Sequence, residues 1–160
     1  MTVYFAACKR MKKLECTPDD DFDLEDRSDV HEVRGNPEFP EITEGLEVGG
    51  LYQYDEEHWF GVAGKERELN ERMDQLATLV GYDCQIARAD GPGPFQEWFR
   101  YPGHMGTIGS KTSAKLAADF AAWDSRAREF GDASFHAWFA LVRKMFEYAA
   151  DDGAVWLRCA

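Results

Sequence analysis

Gly106-Thr107-Ile108-Gly109-Ser110-Lys111 marks the point where this chain changes from short apolar runs to long helical patterns. Two glycines around a β-branched pair, followed at once by a serine, are typical of a strand that turns into a helix. Ser110 or Thr112 is the expected N-cap of that helix, because short hydroxyl side chains can accept from the free amides of a first helical turn.

Two amphipathic helices follow, separated by a short break at Gly131. Apolar residues recur at helical spacing on each side of the break, which predicts one buried stripe per helix. The break is only three residues long, so an antiparallel helical hairpin is expected, with Asp132 or Ser134 capping its second helix. The predicted stripes are Leu116, Phe120, Trp123, Ala127 and Phe130, and then Phe135, Trp138, Phe139, Val142, Met145, Phe146 and Ala149.

Short apolar segments elsewhere predict strands. Residues 2–8 and 154–157 favour strands at the two ends of the chain, and residues 51–54 and 58–62 favour a central meander. Apolar spacing predicts a further helix from Lys65 to a C-cap at Gly81. Residues 84–87 are a candidate for a short strand, and residues 95–101 suit either a helical turn or a strand.

These elements together predict a single α+β domain over residues 1–160. Its small antiparallel sheet, built from the N-terminal strand, the central meander and the C-terminal strand, would pack against about three helices that include the C-terminal hairpin. An acidic, loop-rich excursion is expected at about residues 17–46, because prolines, glycines and acids there lack a sustained period.

The second part of the chain resembles a family of small bacterial and phage-borne proteins that has no established activity. In that family a G-x-I-G turn precedes a K-L-A-x-D-F helix, and a closing G-x-V strand follows. The matching residues are Gly106, Ile108, Gly109, Lys115, Leu116, Ala117, Asp119, Phe120, Gly153 and Val155, with Pro94, Phe95 and Phe99 upstream. The resemblance implies the fold of the second half and no particular activity.

Negative charge is concentrated in one segment. The 160 residues carry a net charge of −12, and residues 19–47 hold twelve acids against only Arg27 and Arg34. That segment therefore accounts for −10 of the total. A local field of this sign repels nucleic acid and attracts basic protein surfaces. The absence of a long apolar run and of a signal-peptide charge order predicts a cytoplasmic protein without a membrane span.

Several familiar sites fit poorly. A calcium loop starting at Asp21 would have Asp26 where a glycine is needed, and a phosphate loop at residues 61–66 would have Glu66 where magnesium needs a hydroxyl. The histidines and cysteines show no metal-ligand spacing, and no serine lies in a nucleophile elbow. No metal, cofactor or catalytic residue is therefore predicted.

Three classes of function remain open. The leading hypothesis is a non-enzymatic inhibitor of the immunity-protein or phage anti-defence type. It would block a basic surface of a toxin or host defence complex that normally takes nucleic acid, in the extreme as a DNA mimic, without binding nucleic acid itself. Its predicted partner-binding residues are Asp19, Asp20, Asp21, Asp23, Glu25, Asp26, Asp29 and Glu32.

The second class is a small-molecule or nucleotide binder. Its anion site would use the helix entry at Gly106, Thr107, Gly109, Ser110 and Lys111, because free amides and a lysine at a helix start attract negative charge. The third class is an enzyme whose site is assembled from distant residues.

Overall fold

The computed structural model describes residues 2–15, 27–82, 93–101 and 106–159. Within these ranges the chain forms seven strands, four α-helices and one 3-10 helix. The strands are β1 (Val3–Cys8), β2 (Lys12–Lys13), β3 (Val30–Glu32), β4 (Leu51–Gln53), β5 (Glu57–Ala63), β6 (Thr107–Ile108) and β7 (Ala154–Cys159). The α-helices are α1 (Glu66–Val80), α2 (Gln96–Phe99), α3 (Ser110–Glu129) and α4 (Ala133–Ala149), and the 3-10 helix is Pro40–Thr43.

A four-stranded antiparallel sheet in the order β5-β1-β7-β6 forms the centre of the molecule. Strand β1 alternates between two cores, as its pleat requires. Phe5 and Ala7 face a core shared with the helices, whereas Ala6 and Cys8 face a second core under the sheet β2-β4-β3. The central sheet is therefore covered by helices on one face and in part by a small sheet on the other.

The helical hairpin supplies most of the larger core. All seven predicted stripe positions of α4 are buried, as are Leu116, Phe120 and Ala127 of α3, while Trp123 and Phe130 are half-buried. Phe120 and Phe139 meet at a ring distance of 4.7 Å across the hairpin. Each fully buried phenylalanine stabilises the fold by about 1.5–3 kcal/mol, so this hairpin dominates the packing energy.

The α+β class and the C-terminal hairpin are confirmed, but the central meander is not. Strands β4 and β5 lie in different sheets. The reason is Tyr54, which is buried and donates its hydroxyl hydrogen to the Ser28 carbonyl at 2.7 Å. This anchor turns the chain from the outer sheet into the central one. Residues 95–101 contain the single helical turn α2.

Part of the predicted acidic excursion belongs to the folded body. Strand β3 pairs with β4, and the 3-10 helix lies against the start of α3. Val33 and Ile42 are buried and attach this segment to the core, as their apolar character predicts. Residues 16–26, the predicted strand at 84–87 and residues 102–105 lie outside the described residues.

Candidate functional site

The entry of α3 is where the 3-10 helix meets the helical core. The amide of Gly109 donates to the Ile42 carbonyl at 2.8 Å, and the amide of Lys111 donates to the Glu44 carbonyl at 3.0 Å. The Thr112 hydroxyl donates to the Glu41 carbonyl at 2.6 Å. Main-chain carbonyls therefore satisfy the helix start. The N-cap is Gly109, without a side-chain hydrogen bond, and the predicted cap at Ser110 or Thr112 is wrong.

The glycines at this junction permit close contact between two backbones. A Cβ on Gly109 would lie 2.3 Å from the Glu44 carbonyl oxygen, and one on Gly45 would lie 2.3 Å from Ser110 Oγ. Gly45 also has a φ of +103°, a conformation that favours glycine. The two segments therefore fit together only because both positions lack side chains.

This packing bears on the predicted anion site. Gly106, Thr107, Gly109 and Ser110 are buried, and only Lys111 is exposed. The amides of Gly109 and Lys111 already donate to carbonyls within the chain. An anion at this helix start would have to replace those bonds, so the predicted binding site stays without structural support.

On the outside of the same junction lie four exposed glutamates, which we call the acidic ridge: Glu38, Glu41, Glu44 and Glu47. They recur every third residue on a segment whose inner side holds the buried Ile42 and Thr43. Glu47 forms an ion pair with Lys13. Val48 follows the ridge and is 59% exposed; it is one of two large apolar side chains that are exposed in the described ranges.

Of the eight predicted partner-binding acids, only Asp29 and Glu32 lie within the described ranges. Asp29 accepts hydrogen bonds from Arg27 at 2.8 and 3.1 Å and from Gln53 at 2.7 Å. These bonds, first of all those from Arg27, lower the pKa of the Asp29 carboxyl. Glu32 is half-buried in β3. Asp29 is thus engaged inside the chain, whereas the ridge acids after it point to solvent.

A histidine lies between the two sheets, behind Thr107. The ring of His31 stacks on Trp156 at 3.8 Å, and its Nε2 lies 2.8 Å from Thr107 Oγ1. That oxygen also accepts from the Arg34 amide, and the direction of its hydrogen bond with the imidazole is set by the histidine tautomer. Burial, together with the nearby arginines, lowers the pKa of His31 to about 4. The arrangement holds the small sheet against the central one.

A second polar cluster joins the ends of three strands. Arg158 donates to both carboxylate oxygens of Glu57, at 2.7 and 3.0 Å. Burial raises the pKa of the neighbouring Cys8 thiol and of the Tyr54 phenol, so both stay protonated at neutral pH. The Arg158 guanidinium lies 5.6 Å from the ring centre of Trp59, which is 53% exposed. Sequence reasoning missed this cluster; the period of two in β7, which puts Arg158 on the face of Trp156, is the signal that could have found it.

Three of the residues on which the predicted resemblance rests, Phe95, Lys115 and Asp119, take part in a structural clamp. Lys115 Nζ donates to the Gly93 carbonyl at 2.6 Å and lies 2.7 Å from Glu97 and 2.8 Å from Asp119. Asp119 in turn accepts the amide of Phe95 at 3.0 Å. Phe95 is fully buried and has a φ of +62°, so the clamp holds a strained turn in the core.

No protein-family model, curated protein or solved structure matched this chain. The resemblance to the bacterial and phage-borne family therefore stays a prediction. Within the described ranges, no group of three or more His, Cys, Asp or Glu side chains is placed to hold a metal ion. No helix in those ranges is both long and apolar enough to cross a membrane.

Proposed function

We propose that this protein binds a basic surface of another protein through the acidic ridge and the acids that precede it, and that it acts by blocking that surface. A toxin or a host defence complex that normally takes nucleic acid is the class of partner that this proposal names. The observation that carries it is the acidic ridge, in which four carboxylates are exposed on a segment fixed to the start of α3.

The fixed backbone supports binding because it lowers the entropy lost on association. Three hydrogen bonds from the start of α3 hold the carbonyls of Glu41, Ile42 and Glu44, and Ile42 is fully buried beneath them. The backbone of the ridge is therefore anchored at Glu41 and Glu44. Binding by a preorganised segment loses less free energy to ordering than binding by a loose chain.

The neighbouring apolar side chain favours a protein partner. Val48 is exposed beside Glu47, and Phe39 beside Glu38 is half-buried. Charged side chains around a small apolar centre are typical of protein interfaces. Nucleic acid is disfavoured as a direct partner because its phosphates would be repelled by the same charges. A dense negative field instead steers a basic protein toward the ridge and raises the association rate.

Neutralising the ridge is the direct test. The quadruple variant should lose most of its affinity for the partner, because each carboxylate contributes to steering and to contact. Immobilised protein would be incubated with cell extract, and retained proteins would be identified. Duplex DNA added to the retained complex should release it if the blocked surface is a nucleic-acid site. The substitutions are Glu38→Gln, Glu41→Gln, Glu44→Gln and Glu47→Gln.

A matched control changes the same number of exposed acids elsewhere. It alters the net charge equally and should retain the partner, since the proposed effect is local. If the control and the ridge variant lose the partner to the same extent, net charge and not the ridge governs binding, and the proposal fails. The control substitutions are Glu66→Gln, Glu71→Gln, Asp74→Asn and Glu129→Gln.

A further inference from the structure

Strand β5 lies at the edge of the central sheet. It pairs with β1 on one side, and among the described residues no strand or backbone hydrogen bond occupies its other side. Natural edge strands are generally short, charged or covered, because unpaired amides and carbonyls invite another strand. Strand β5 is seven residues long and carries the exposed Trp59 near its middle.

The face of β5 that carries Trp59 is exposed to solvent. Gly61 is exposed two residues further on, and the ring of Tyr4 lies over it, 3.2 Å from the point that a Cβ on Gly61 would occupy. Tyr4 also contacts Trp59 at a ring distance of 5.9 Å. Two aromatic rings thus flank a glycine that offers no side chain of its own. Tyr4 is the cross-strand partner of Gly61 within the chain, and a second aromatic ring could pack beside this aromatic–glycine pair from the unpaired edge of β5.

We propose that β5 pairs antiparallel with β5 of a second copy of this chain, with Phe60 on the two-fold axis. This register sets Trp59 of each copy opposite Gly61 of the other, so each indole packs against that glycine and the edge of the Tyr4 ring that lies over it. The contact is isologous, as a symmetric dimer requires. It is independent of the acidic ridge.

The charges at the two ends of β5 support a second copy over an unrelated strand. Exposed Asp55 and Glu56 precede the strand, and exposed Lys65 follows it, ahead of the alternating exposed Glu66, Arg67 and Glu68. In the proposed register Asp55 of one copy meets Lys65 of the other, twice by symmetry. A parallel arrangement would place like charges together, and a foreign strand would need the same reversed pattern.

The contact is short, which predicts a weak dimer. Val62 is an extra residue between Gly61 and Ala63 in the pairing with β1, and such a bulge twists the strand away from regular pairing. The regular backbone pairing therefore comprises Trp59, Phe60 and Gly61, and the proposed Asp55–Lys65 contact is one between side chains beyond this pairing. A small interface with one aromatic anchor is consistent with a dissociation constant of about 1–100 µM.

Sedimentation equilibrium from about 1 to 500 µM, at about 0.15 M salt, tests self-association. The wild-type chain should be a monomer–dimer mixture. Trp59→Ala should weaken the dimer roughly tenfold or more, as loss of a central tryptophan does in other interfaces. Val48→Ala removes an equally exposed apolar side chain outside β5 and should leave the dimer unchanged. A wild-type chain that stays monomeric over this range overturns the proposal.

A charge exchange tests the register. Lys65→Asp or Asp55→Lys alone creates two like-charge pairs and should weaken the dimer roughly 2- to 30-fold. The double variant D55K/K65D recreates opposite pairs and should return to within about threefold of wild type. Equal weakening in the single and double variants would overturn the antiparallel register. The positions changed in these tests are all exposed, so the variants should fold.

Discussion

Gly153 shows how one position can control the junction of helix and sheet. A Cβ there would lie 1.8 Å from the Cys8 carbonyl oxygen and 2.9 Å from that of Ala149. Both obstacles are backbone atoms, so neither can move alone. Gly153→Ala should therefore reduce the free energy of unfolding by roughly 3 kcal/mol or more, measured by urea denaturation.

Gly81→Ala is the control for that substitution. Gly81 has a φ of +79° and no atom within 4 Å of an added Cβ, so alanine there meets only backbone strain. Its cost should be about 1 kcal/mol. Equal losses of unfolding free energy in Gly153→Ala and Gly81→Ala would show that the backbone around Cys8 moves to admit the added Cβ.

His31 should make stability depend on pH at the boundary between the two sheets. Its folded pKa of about 4 lies below the unfolded value of 6.5, so the unfolded chain binds more protons between these values. The contribution of neutral His31 to the free energy of unfolding is complete above pH 6.5 and is lost as the pH falls towards 4. Relative to His31→Gln, which does not titrate, the wild type should lose about 2 kcal/mol of unfolding free energy between pH 7.5 and pH 4.5. If the difference in unfolding free energy between the wild type and His31→Gln does not change with pH, the folded chain accommodates protonated His31 without cost.

At the scale of elements, the Lys115 clamp connects α2 to α3. Lys115→Met would leave Glu97 and Asp119 close together without their shared cation, and both carboxylates are only 19% exposed. We expect a loss of about 1–2 kcal/mol, after allowance for the partial exposure of Lys115. Arg143→Met breaks the more exposed helical pair with Glu147 and should cost about 0.5 kcal/mol or less. If chemical denaturation shows similar losses of unfolding free energy for Lys115→Met and Arg143→Met, the clamp has no special role in stability.

The elements that sequence predicts well are those whose pattern is local. The stripes of α3 and α4 follow from a period of 3.6, and Asp132 caps α4 by accepting the Phe135 amide, as expected from its position. The Gly81 cap of α1 follows from the need for a left-handed residue at a helix end.

The parts that sequence does not predict depend on contacts between distant segments. Tyr54, between β4 and β5, donates a hydrogen bond to the Ser28 carbonyl, and the two strands lie in different sheets. At the start of α3, carbonyls of the 3-10 helix segment take the place of a side-chain cap. Sequence groups the ridge acids with their whole segment, yet only the folded structure shows that Asp29 is hydrogen-bonded to Gln53, whereas Glu41 and Glu44 are exposed. Composition gives the charge of a segment but not the direction of each side chain.

At the scale of the whole molecule, salt should separate the two proposed contacts. The ridge and a basic partner attract each other, so added salt screens the attraction, and affinity should fall roughly tenfold or more between about 0.05 and 0.5 M. Two copies that each carry −12 repel each other at long range. Screening that repulsion offsets the weakening of the Asp55–Lys65 pairs, so the dimer should persist over the same range.

The variants can be exchanged between the two measurements because the surfaces do not share residues. Trp59→Ala should bind the partner with the salt dependence of the wild type, and the ridge quadruple variant should dimerise like the wild type. If Trp59→Ala also loses the partner, the partner binds at β5 or needs the dimer, and the ridge alone is not the docking surface. If the ridge variant loses self-association, the second copy docks on the acids and not on the edge strand. Each failure therefore identifies which of the two contacts is wrong.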